Sequence, residues 1–263
     1  MSFSDEKNTI EYKLQDAQYR FPYHYIPNWS ANITLENKWP EMEKKLRWGF
    51  EYLSYMSKVV DFVTEVMPSS ILDVGCGDGR LIELLSKSVV YKKINRVKGI
   101  DISRSAIEFA KLLNPELGGV FYELDIADIT EHYDCVTCIE TLEHIPNEMI
   151  KRMVSNLFRI LQVDGYLIIS VPTTNRPKAG KHFRHYDLDV LKEQLDLASI
   201  DYEIERVEYT WKANGLKKYL RFTDNRLWYF RVHKLDTWLY NRYKKATAEN
   251  GMHLITVIRK RGN

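Results

Sequence analysis

A glycine-rich segment, residues 71–79 (ILDVGCGDG), carries the strongest chemical signal in the sequence. Its three glycines, at positions 75, 77 and 79, stand between a predicted strand and a predicted helix, where a backbone without Cβ atoms can approach a ligand. A dinucleotide is disfavoured, because Arg80 stands where that fingerprint needs glycine or alanine and Asp73 would repel a pyrophosphate. The loop therefore predicts a cationic ligand with a short amino-acid tail.

Two further acids follow the next two predicted strands. Asp101 ends the second strand, 24 residues after Gly77, where a carboxylate can accept hydrogen bonds from both hydroxyls of a ribose. Asp125 ends the third strand, where it can bind an adenine amino group while Ile126 packs on the ring. Acids at consecutive strand ends with this spacing predict a nucleoside site.

Two histidines are placed to accept a proton from a hydroxyl or amine. His144 follows the fourth strand and His185 lies in the loop after the fifth, beside Arg184 and Tyr186. Histidine is the usual base near neutral pH. The alternative roles are a helix cap for His144 and a hydrogen bond to a backbone carbonyl for His185. A third histidine, His24, lies in the aromatic segment 19–29 with Tyr23, and we interpret that segment as a lid.

A divalent metal is an alternative use of the same region. Glu140, Glu143, His144 and His185 could hold such an ion against a diol. Cys135 and Cys138 cannot contribute, because residues i and i+3 of a strand point to opposite faces. We expect both cysteines in the core and predict no metal.

The elements that position these residues alternate between strand and helix from residue 69 to 210. This alternation predicts a parallel sheet with helices on both faces. A helical stripe over about 41–66 precedes it. Near the C-terminus Trp228, Val232, Leu235, Leu239 and Tyr243 predict an amphipathic helix. We divide the chain into an N-terminal lid and helix (1–66) and a domain (67–263) with a helical insertion at 212–249.

Composition narrows the functional class. Of 263 residues, 44% are hydrophobic and 28% charged, which is typical of a folded soluble protein, and no apolar run approaches the ~20 residues of a membrane helix. The three cysteines and the absence of a signal peptide predict a cytoplasmic protein. Residues 211–263 contain 13 basic and 3 acidic residues (+10), which leaves 25 − 33 = −8 for residues 1–210. A basic C-terminal part favours an anionic partner.

The insertion 212–249 leaves three interpretations open. It could pack on the domain or form a homodimer contact, lie on a membrane surface, or stack nucleic-acid bases. Its apolar stripe favours packing, with the basic face left for an anionic acceptor. No DNA partner is expected.

Over residues 69–210 and the last strand, the sequence resembles the class I S-adenosylmethionine-dependent methyltransferases. The resemblance implies a Rossmann-like, doubly wound, seven-stranded and mostly parallel α/β sheet. It implies that the methionine part of the cofactor binds the glycine loop, the ribose Asp101 and the adenine Asp125. The implied cofactor site comprises Asp73, Gly75, Cys76, Gly77, Asp101, Ile102, Asp125, Ile126 and Glu140.

Three segments narrow the resemblance: residues 134–146 (DCVTCIETLEHIP), 161–171 and 182–187 (HFRHYD). They are similar to a subgroup of ubiquinone-pathway O-methyltransferases and sugar and natural-product methyltransferases. The usual Lys-Pro-Gly-Gly turn is replaced here by residues 162–165 (QVDG), whose Asp-Gly keeps the turn.

The resemblance implies transfer of a methyl group, most simply to oxygen, and the basic C-terminal part favours a small anionic acceptor. The acceptor would be a sugar, a nucleotide-sugar or a phosphate-bearing intermediate of surface-polysaccharide or natural-product synthesis. Predicted acceptor contacts are Tyr23, His24, Arg184 and Tyr186. The sequence also resembles metal-dependent small-RNA 2′-O-methyltransferases through residues 140–144 and 183–187, which gives the first alternative. A cofactor-binding scaffold without catalysis is the second.

Overall fold

A computed structural model describes residues 10–17, 19, 42–212, 219, 222–223, 230 and 232–262, with the backbone alone at 11, 42–50 and 233. The strands are β1 Ser70–Val74, β2 Arg96–Asp101, β3 Phe121–Glu123, β4 Tyr133–Ile139, β5 Leu161–Pro172, β6 Tyr202–Lys212, β7 Lys245–Ala246 and β8 Gly251–Lys260. The longer helices are α1 Ile10–Asp16, α2 Met42–Val66, α3 Arg80–Ser86, α4 Arg104–Leu113, α5 Ile150–Arg159, α6 Leu188–Asp196 and α7 His233–Tyr243.

These strands form one sheet in the order β3-β2-β1-β4-β5-β8-β6-β7. Strands β1 to β5 are parallel, whereas β8 lies antiparallel between β5 and β6. The predicted α/β, doubly wound and mostly parallel sheet is confirmed. Seven strands were predicted. The eighth, β7, has two residues and pairs with residues 209–210 at the sheet edge, too short to leave a pattern in the sequence.

The core lies on both faces of the sheet. Helices α5 and α6 pack on one face, where Leu157 is fully buried, and α2 and α3 pack on the other with Phe62. The alternation of side chains along β4 places Cys138 in the first cluster and Cys135 in the second. Both cysteines are core residues, as predicted from their spacing.

The C-terminal helix differs from the predicted one. Helix α7 begins at His233, and its Leu239 packs with neighbouring aromatic residues around buried Trp211. Val232 and Leu235 belong to the predicted stripe, but their exposed fractions are 46% and 38%. The buried face of the helix is therefore narrower than the sequence indicates.

Three residues singled out by the sequence, Tyr23, His24 and Trp228, lie outside the described residues. Within the described ranges, no helix is both long and apolar enough to cross a bilayer. The division at residue 66 and the role of the insertion 212–249 stay predictions.

Candidate active site

A cavity of about 320 Å³ lies at the carboxyl ends of β1 to β4. This is where open α/β sheets bind ligands, beside the point at which the strand order reverses. The glycine loop and the residues after β2, β3 and β4 form its base, Tyr52 and Tyr55 of α2 form one wall, and Tyr12 and Asp16 of α1 also line it. The Ser103 hydroxyl donates a hydrogen bond to the Asp16 carboxylate, which holds α1 beside the end of β2.

The glycine loop needs glycine for both conformation and space. Gly75, Gly77 and Gly79 have φ values of 73°, 54° and 77°, which side-chain-bearing residues rarely adopt. A Cβ atom on Gly75 would lie 2.7 Å from Cγ2 of Thr141, the residue that follows Glu140 after β4. The loop can therefore lie against the end of β4 only because position 75 has no side chain.

Asp101 lies at the centre of the cavity's acidic side. Its carboxylate accepts hydrogen bonds from the backbone N–H groups of Gly77 (3.0 Å) and Ser103 (2.8 Å). Burial raises the pKa of Asp101 to about 6, although these bonds favour the charged form. Each oxygen has a second lone pair, so the ionised group has the capacity to accept bonds from two ribose hydroxyls.

Asp125 also lines the cavity, together with Ile102 and Ile126. One of its oxygens accepts from the N–H of Ala127 (2.9 Å) and the other pairs with Arg152 (3.0 Å). The two isoleucines provide apolar surface at the ends of β2 and β3, as a planar base requires.

Asp73 is placed differently from the other acids. It is 3% exposed, lies beneath the loop and is absent from the cavity lining. Thr137 donates a hydrogen bond to it (2.7 Å), and burial raises the pKa of Asp73 to about 7. Any effect of Asp73 on the cofactor would therefore be indirect, through the position of the glycine loop. Gly75, Cys76 and Gly77 of that loop line the cavity directly.

The charged side chains that line the cavity support the prediction of a cationic ligand. Among the described residues, six acidic side chains line the cavity (Asp16, Asp78, Asp101, Asp125, Glu140 and Glu143) against three basic ones (Arg152, Arg176 and Lys181). Four of the six acids lie on the side of α1 and the β1, β2 and β3 ends. The residues present therefore fit S-adenosylmethionine, a sulfonium cation with ribose and adenine, in this half of the cavity.

Glu140 marks the boundary with the other half. It has a φ of 50°, lines the cavity, and accepts a hydrogen bond from Ser170 (2.7 Å). Its second oxygen lies 3.0 Å from Nδ1 of His253 on β8. Although burial opposes ionisation, the charge of His253, with the hydrogen bond from Ser170, lowers the pKa of Glu140 to about 2. Glu140 is therefore a carboxylate at any physiological pH.

The other half contains three histidines, of which two line the cavity. His144 and His182 are lining residues, whereas His185 lies behind His182, with 2.8 Å between its Nε2 and Nδ1 of His182. Burial lowers the pKa of His144 to about 4 and that of His182 to about 3, and lowers the pKa of His185 as well. All three rings are therefore neutral near pH 7.

Backbone carbonyls determine the tautomers of these neutral rings. A carbonyl can only accept, so Nδ1 of His144 donates to Lys181 O (2.9 Å) and Nδ1 of His185 donates to Arg176 O (3.0 Å). Nε2 of His185 is then an acceptor, and His182 must donate to it through Nδ1. The Nε2 atoms of His144 and His182 consequently carry lone pairs.

Glu143 completes this group. It is 1% exposed, its Oε1 lies 3.7 Å from Nε2 of His144, and Oε2 has no hydrogen-bond partner among the described residues. Burial raises its pKa well above the ordinary value. Ligand atoms of Glu143, His144 and His182 all lie within 4.8 Å of one another. The alternative metal set of Glu140, Glu143, His144 and His185 is therefore not brought together as such, because Glu140 pairs with His253 and His185 lies behind His182.

Two predicted acceptor contacts lie away from the cavity. Tyr186 is fully buried and donates to Gln194 Oε1 (3.0 Å), and Arg184 binds Asn147 Oδ1 (3.0 Å) and the Leu142 carbonyl (2.8 Å). Neither lines the cavity. They hold the segment that carries His182.

Sequence reasoning missed several cavity residues. His182 stands in the HFRHYD segment that was singled out, but the choice between His182 and His185 depends on which of them the loop turns inward. Lys181 and the α1 residues Tyr12 and Gln15 also line the cavity, and Lys181 donates to Gln15 Oε1 (2.8 Å). A pairing 166 residues apart in the chain leaves no local sequence pattern.

Comparisons with known proteins identify the family to which the chain belongs. A family described as a methyltransferase domain matches residues 47–242, well over half of the chain. A ubiquinone biosynthesis O-methyltransferase of Neisseria meningitidis serogroup C is 33% identical over 178 residues, which cover 64% of this chain and 70% of that enzyme. The mitochondrial ubiquinone biosynthesis O-methyltransferase of Saccharomyces cerevisiae is 40% identical over 95 residues, which cover 34% of this chain and only 30% of that enzyme.

A solved structure shows the same fold over nearly the whole chain. The magnesium protoporphyrin IX methyltransferase of Synechocystis PCC 6803, crystallised with bound S-adenosylmethionine, superimposes with a TM-score of 0.54 at 16% identity. The match covers 97% of this chain and 94% of that one.

Proposed function

This chain belongs to the family of S-adenosylmethionine-dependent methyltransferases, and we propose that it methylates an oxygen atom of a small anionic acceptor. The observation that carries the proposal is a single cavity with two chemically distinct halves. Strand-end acids and bare backbone lie in one, and neutral imidazoles with Arg176 and Lys181 lie in the other.

The reaction needs alignment more than acid–base strength. S-adenosylmethionine supplies a methyl group on a positively charged sulfur; the acceptor oxygen forms the new bond to carbon while the electron pair of the carbon–sulfur bond goes to sulfur. Holding the reacting atoms about 3–3.5 Å apart and in line lowers the barrier by several kcal/mol. Tyr12, Tyr52 and Tyr55 along the cavity walls would orient the acceptor and exclude water.

The hydroxyl proton must leave as the new bond forms. His144 is the proposed proton acceptor, because its Nδ1–H donates to the Lys181 carbonyl and leaves the Nε2 lone pair available. Its low pKa makes it a weak base, so it suits an acidic hydroxyl such as a phenol better than an alkyl alcohol. A second lone pair is available on Nε2 of His182. Its ring is oriented by the hydrogen bond to His185, which in turn donates to the Arg176 carbonyl.

An anionic acceptor is supported by the charges of this half. His253 offsets part of the charge of Glu140 at the boundary with the cofactor half, and the raised pKa of Glu143 favours its neutral form. Lys181 adds positive charge to the same wall, where Arg176 is paired with Glu51. A carboxylate or phosphate on the acceptor would therefore be attracted to this side, as would the sugar phosphates and nucleotide-sugars proposed from the resemblance.

The second candidate function is metal-assisted methylation of an RNA 2′-hydroxyl. One observation favours it: Glu143, His144 and His182 bring three ligand atoms within 4.8 Å. A carboxylate and two imidazoles suit several divalent metals, and a bound ion would orient a diol and favour loss of its proton.

One assay separates the two. Purified protein is incubated with S-adenosylmethionine and separate panels of sugar phosphates, nucleotide-sugars, carboxylated phenols and short RNAs, with Mg²⁺, with Mn²⁺ or with a chelator. Mass spectrometry should find an O-methylated small anion, formed equally well with the chelator. Methylation of RNA alone, abolished by the chelator and restored by metal, would reverse the order of the two candidates. No methylated product from any panel would overturn the proposal.

A further inference from the structure

A row of buried charged groups connects the cavity wall to helix α2 and the C-terminal strand β8. His253 of β8 is fully buried between two carboxylates. Its Nε2 lies 3.1 Å from Oε1 of Glu51 on α2, and its Nδ1 lies 3.0 Å from Oε2 of Glu140. Arg176 follows at 3.2 Å from the same Glu51 oxygen. Charges along the row therefore alternate in sign.

Hydrogen-bond chemistry determines the state of this histidine. A carboxylate oxygen only accepts, so an imidazole nitrogen 3.0 Å from it must carry a hydrogen to avoid contact between lone pairs. Both ring nitrogens face carboxyl groups, so when both of these groups are ionised the ring is doubly protonated. The Nδ1 contact is angled and has the character of an ion pair rather than of a linear hydrogen bond. The pKa agrees: burial lowers it, but Glu140 and Glu51 together raise the pKa of His253 to about 9.

The packing around the ring supports a cation. The Tyr55 ring lies on it with 4.5 Å between centroids, close enough for a cation–π interaction. Tyr55 and Glu51 are one helical turn apart on α2, so the same face of this helix supplies both the anion and the aromatic ring. Tyr55 also lines the cavity.

Glu140 depends on His253 for its charge and its orientation. Its positive φ is unusual for a residue with a side chain, and Ser170 and His253 fasten its two oxygens. Without the cation, a buried carboxylate would take up a proton or turn away. The cavity would then lose one of its fixed negative charges at the boundary between the two halves.

We propose that His253 is a positioning residue, an imidazolium that holds Glu140 as an oriented carboxylate for the cationic cofactor and fastens α2 to the cavity wall. The inference rests on the proposed function only in that the cavity binds S-adenosylmethionine. Glu140 lines the cavity, whereas His253 lies behind it and acts through Glu140.

The first test examines the ring in the wild-type protein. ¹⁵N NMR of histidine-labelled protein at pH 7.5 should show one buried histidine with both ring nitrogens protonated, and Glu140→Gln should shift this signal. A neutral ring at position 253 would overturn the proposal whether or not any variant folds.

The second test measures cofactor binding by calorimetry for wild type, His253→Gln, Glu140→Gln and the double variant. Loss of one charge-assisted contact should weaken binding about 10-fold in each single variant. The double variant should bind no worse than Glu140→Gln, because His253 acts through Glu140. His132→Gln, on an exposed residue, is the matched control and should bind as wild type does.

The outcomes separate this inference from the proposed function. Wild-type protein that binds no cofactor contradicts the function itself. Wild type that binds, with His253→Gln folded and binding equally well, contradicts the role of His253 alone. Additive losses in the double variant would also contradict it, because they would indicate independent structural effects.

Discussion

The two halves of the cavity are built by different means. The cofactor half consists of backbone and of acids at the ends of neighbouring strands, so each residue's position follows from the sheet. The acceptor half combines residues after β4 with the segment between β5 and α6, which are distant in the chain, and Lys181 of that segment contacts Gln15 of α1. The first half is made to hold one ligand rigidly. The second takes its chemistry from loops that can vary without altering the fold.

This contrast makes a general prediction. Substitutions in the cofactor half should change cofactor binding, whereas substitutions in the acceptor half should change turnover with cofactor affinity preserved. The specific predictions below test that division, starting from the largest expected effect.

Gly75→Ala should be the most damaging change. It puts a side chain at a φ of 73° and a Cβ 2.7 Å from Thr141 Cγ2. We expect cofactor binding to weaken more than about 100-fold and unfolding free energy to fall by about 2 kcal/mol or more, measured by calorimetry and urea denaturation. Gly119→Ala is the control, since a Cβ there meets nothing within 4 Å. Equal behaviour of the two variants would refute the close-approach account.

His144→Ala should lower kcat about 100-fold, the usual effect of removing a general base. Cofactor affinity should change less than about 2-fold, because His144 belongs to the acceptor half. Steady-state kinetics with the identified acceptor and calorimetry with cofactor check both values. Unchanged kcat would reject His144 as the proton acceptor, and an equal loss of cofactor affinity would remove the distinction between the halves.

Asp101→Ala should weaken cofactor binding by about 10- to 100-fold, the effect of losing charge-assisted bonds to two hydroxyls. The acceptor half should keep its structure. Asp128→Ala is the matched control because Asp128 is exposed and outside the cavity. Wild-type affinity in Asp101→Ala would place the ribose elsewhere.

Cofactor binding should also depend on pH through Asp101. Its pKa is raised to about 6 in the folded protein, so the carboxylate form predominates above pH 6 and is lost below it. The Kd should be constant above about pH 7 and rise as pH falls below 6, up to tenfold per pH unit. Calorimetry between pH 5 and 8 checks this, and in Asp101→Asn the rise should disappear.

Asp73→Asn is the mildest of these substitutions, and it should raise the free energy of unfolding rather than lower it. The pKa of Asp73 is about 7 when folded, above its ordinary value of 3.8, so burying the carboxylate lowers stability progressively as pH rises from about 4 to 7. The amide still accepts the Thr137 hydrogen bond. We expect a gain in unfolding free energy of roughly 1–3 kcal/mol at pH 8, shrinking towards pH 4, measured by denaturation at both pH values. A gain independent of pH would contradict the raised pKa.

The difference between the halves also explains what could be predicted from the sequence. The sequence predicts the positions of Asp101 and Asp125, because strand ends follow from periodicity. The choice of His182 over His185, and the Lys181–Gln15 contact, depend on how a loop turns and on pairing with α1, and neither has a local signature. Even within a recognised motif, the sequence does not predict every contact. Asp73 belongs to the glycine-loop motif, but its burial beneath the loop, where Thr137 of the neighbouring strand donates a hydrogen bond to it, is seen only in the structure.

The most direct test of a two-part methyltransferase cavity is calorimetry of the purified chain with S-adenosylmethionine and S-adenosylhomocysteine at pH 7.5. The account predicts one site for either compound, with binding weakened about 10- to 100-fold in Asp101→Ala and preserved in His144→Ala. Folded wild-type protein that releases no heat with either compound, or wild-type affinity in Asp101→Ala together with loss of binding in His144→Ala, would contradict it.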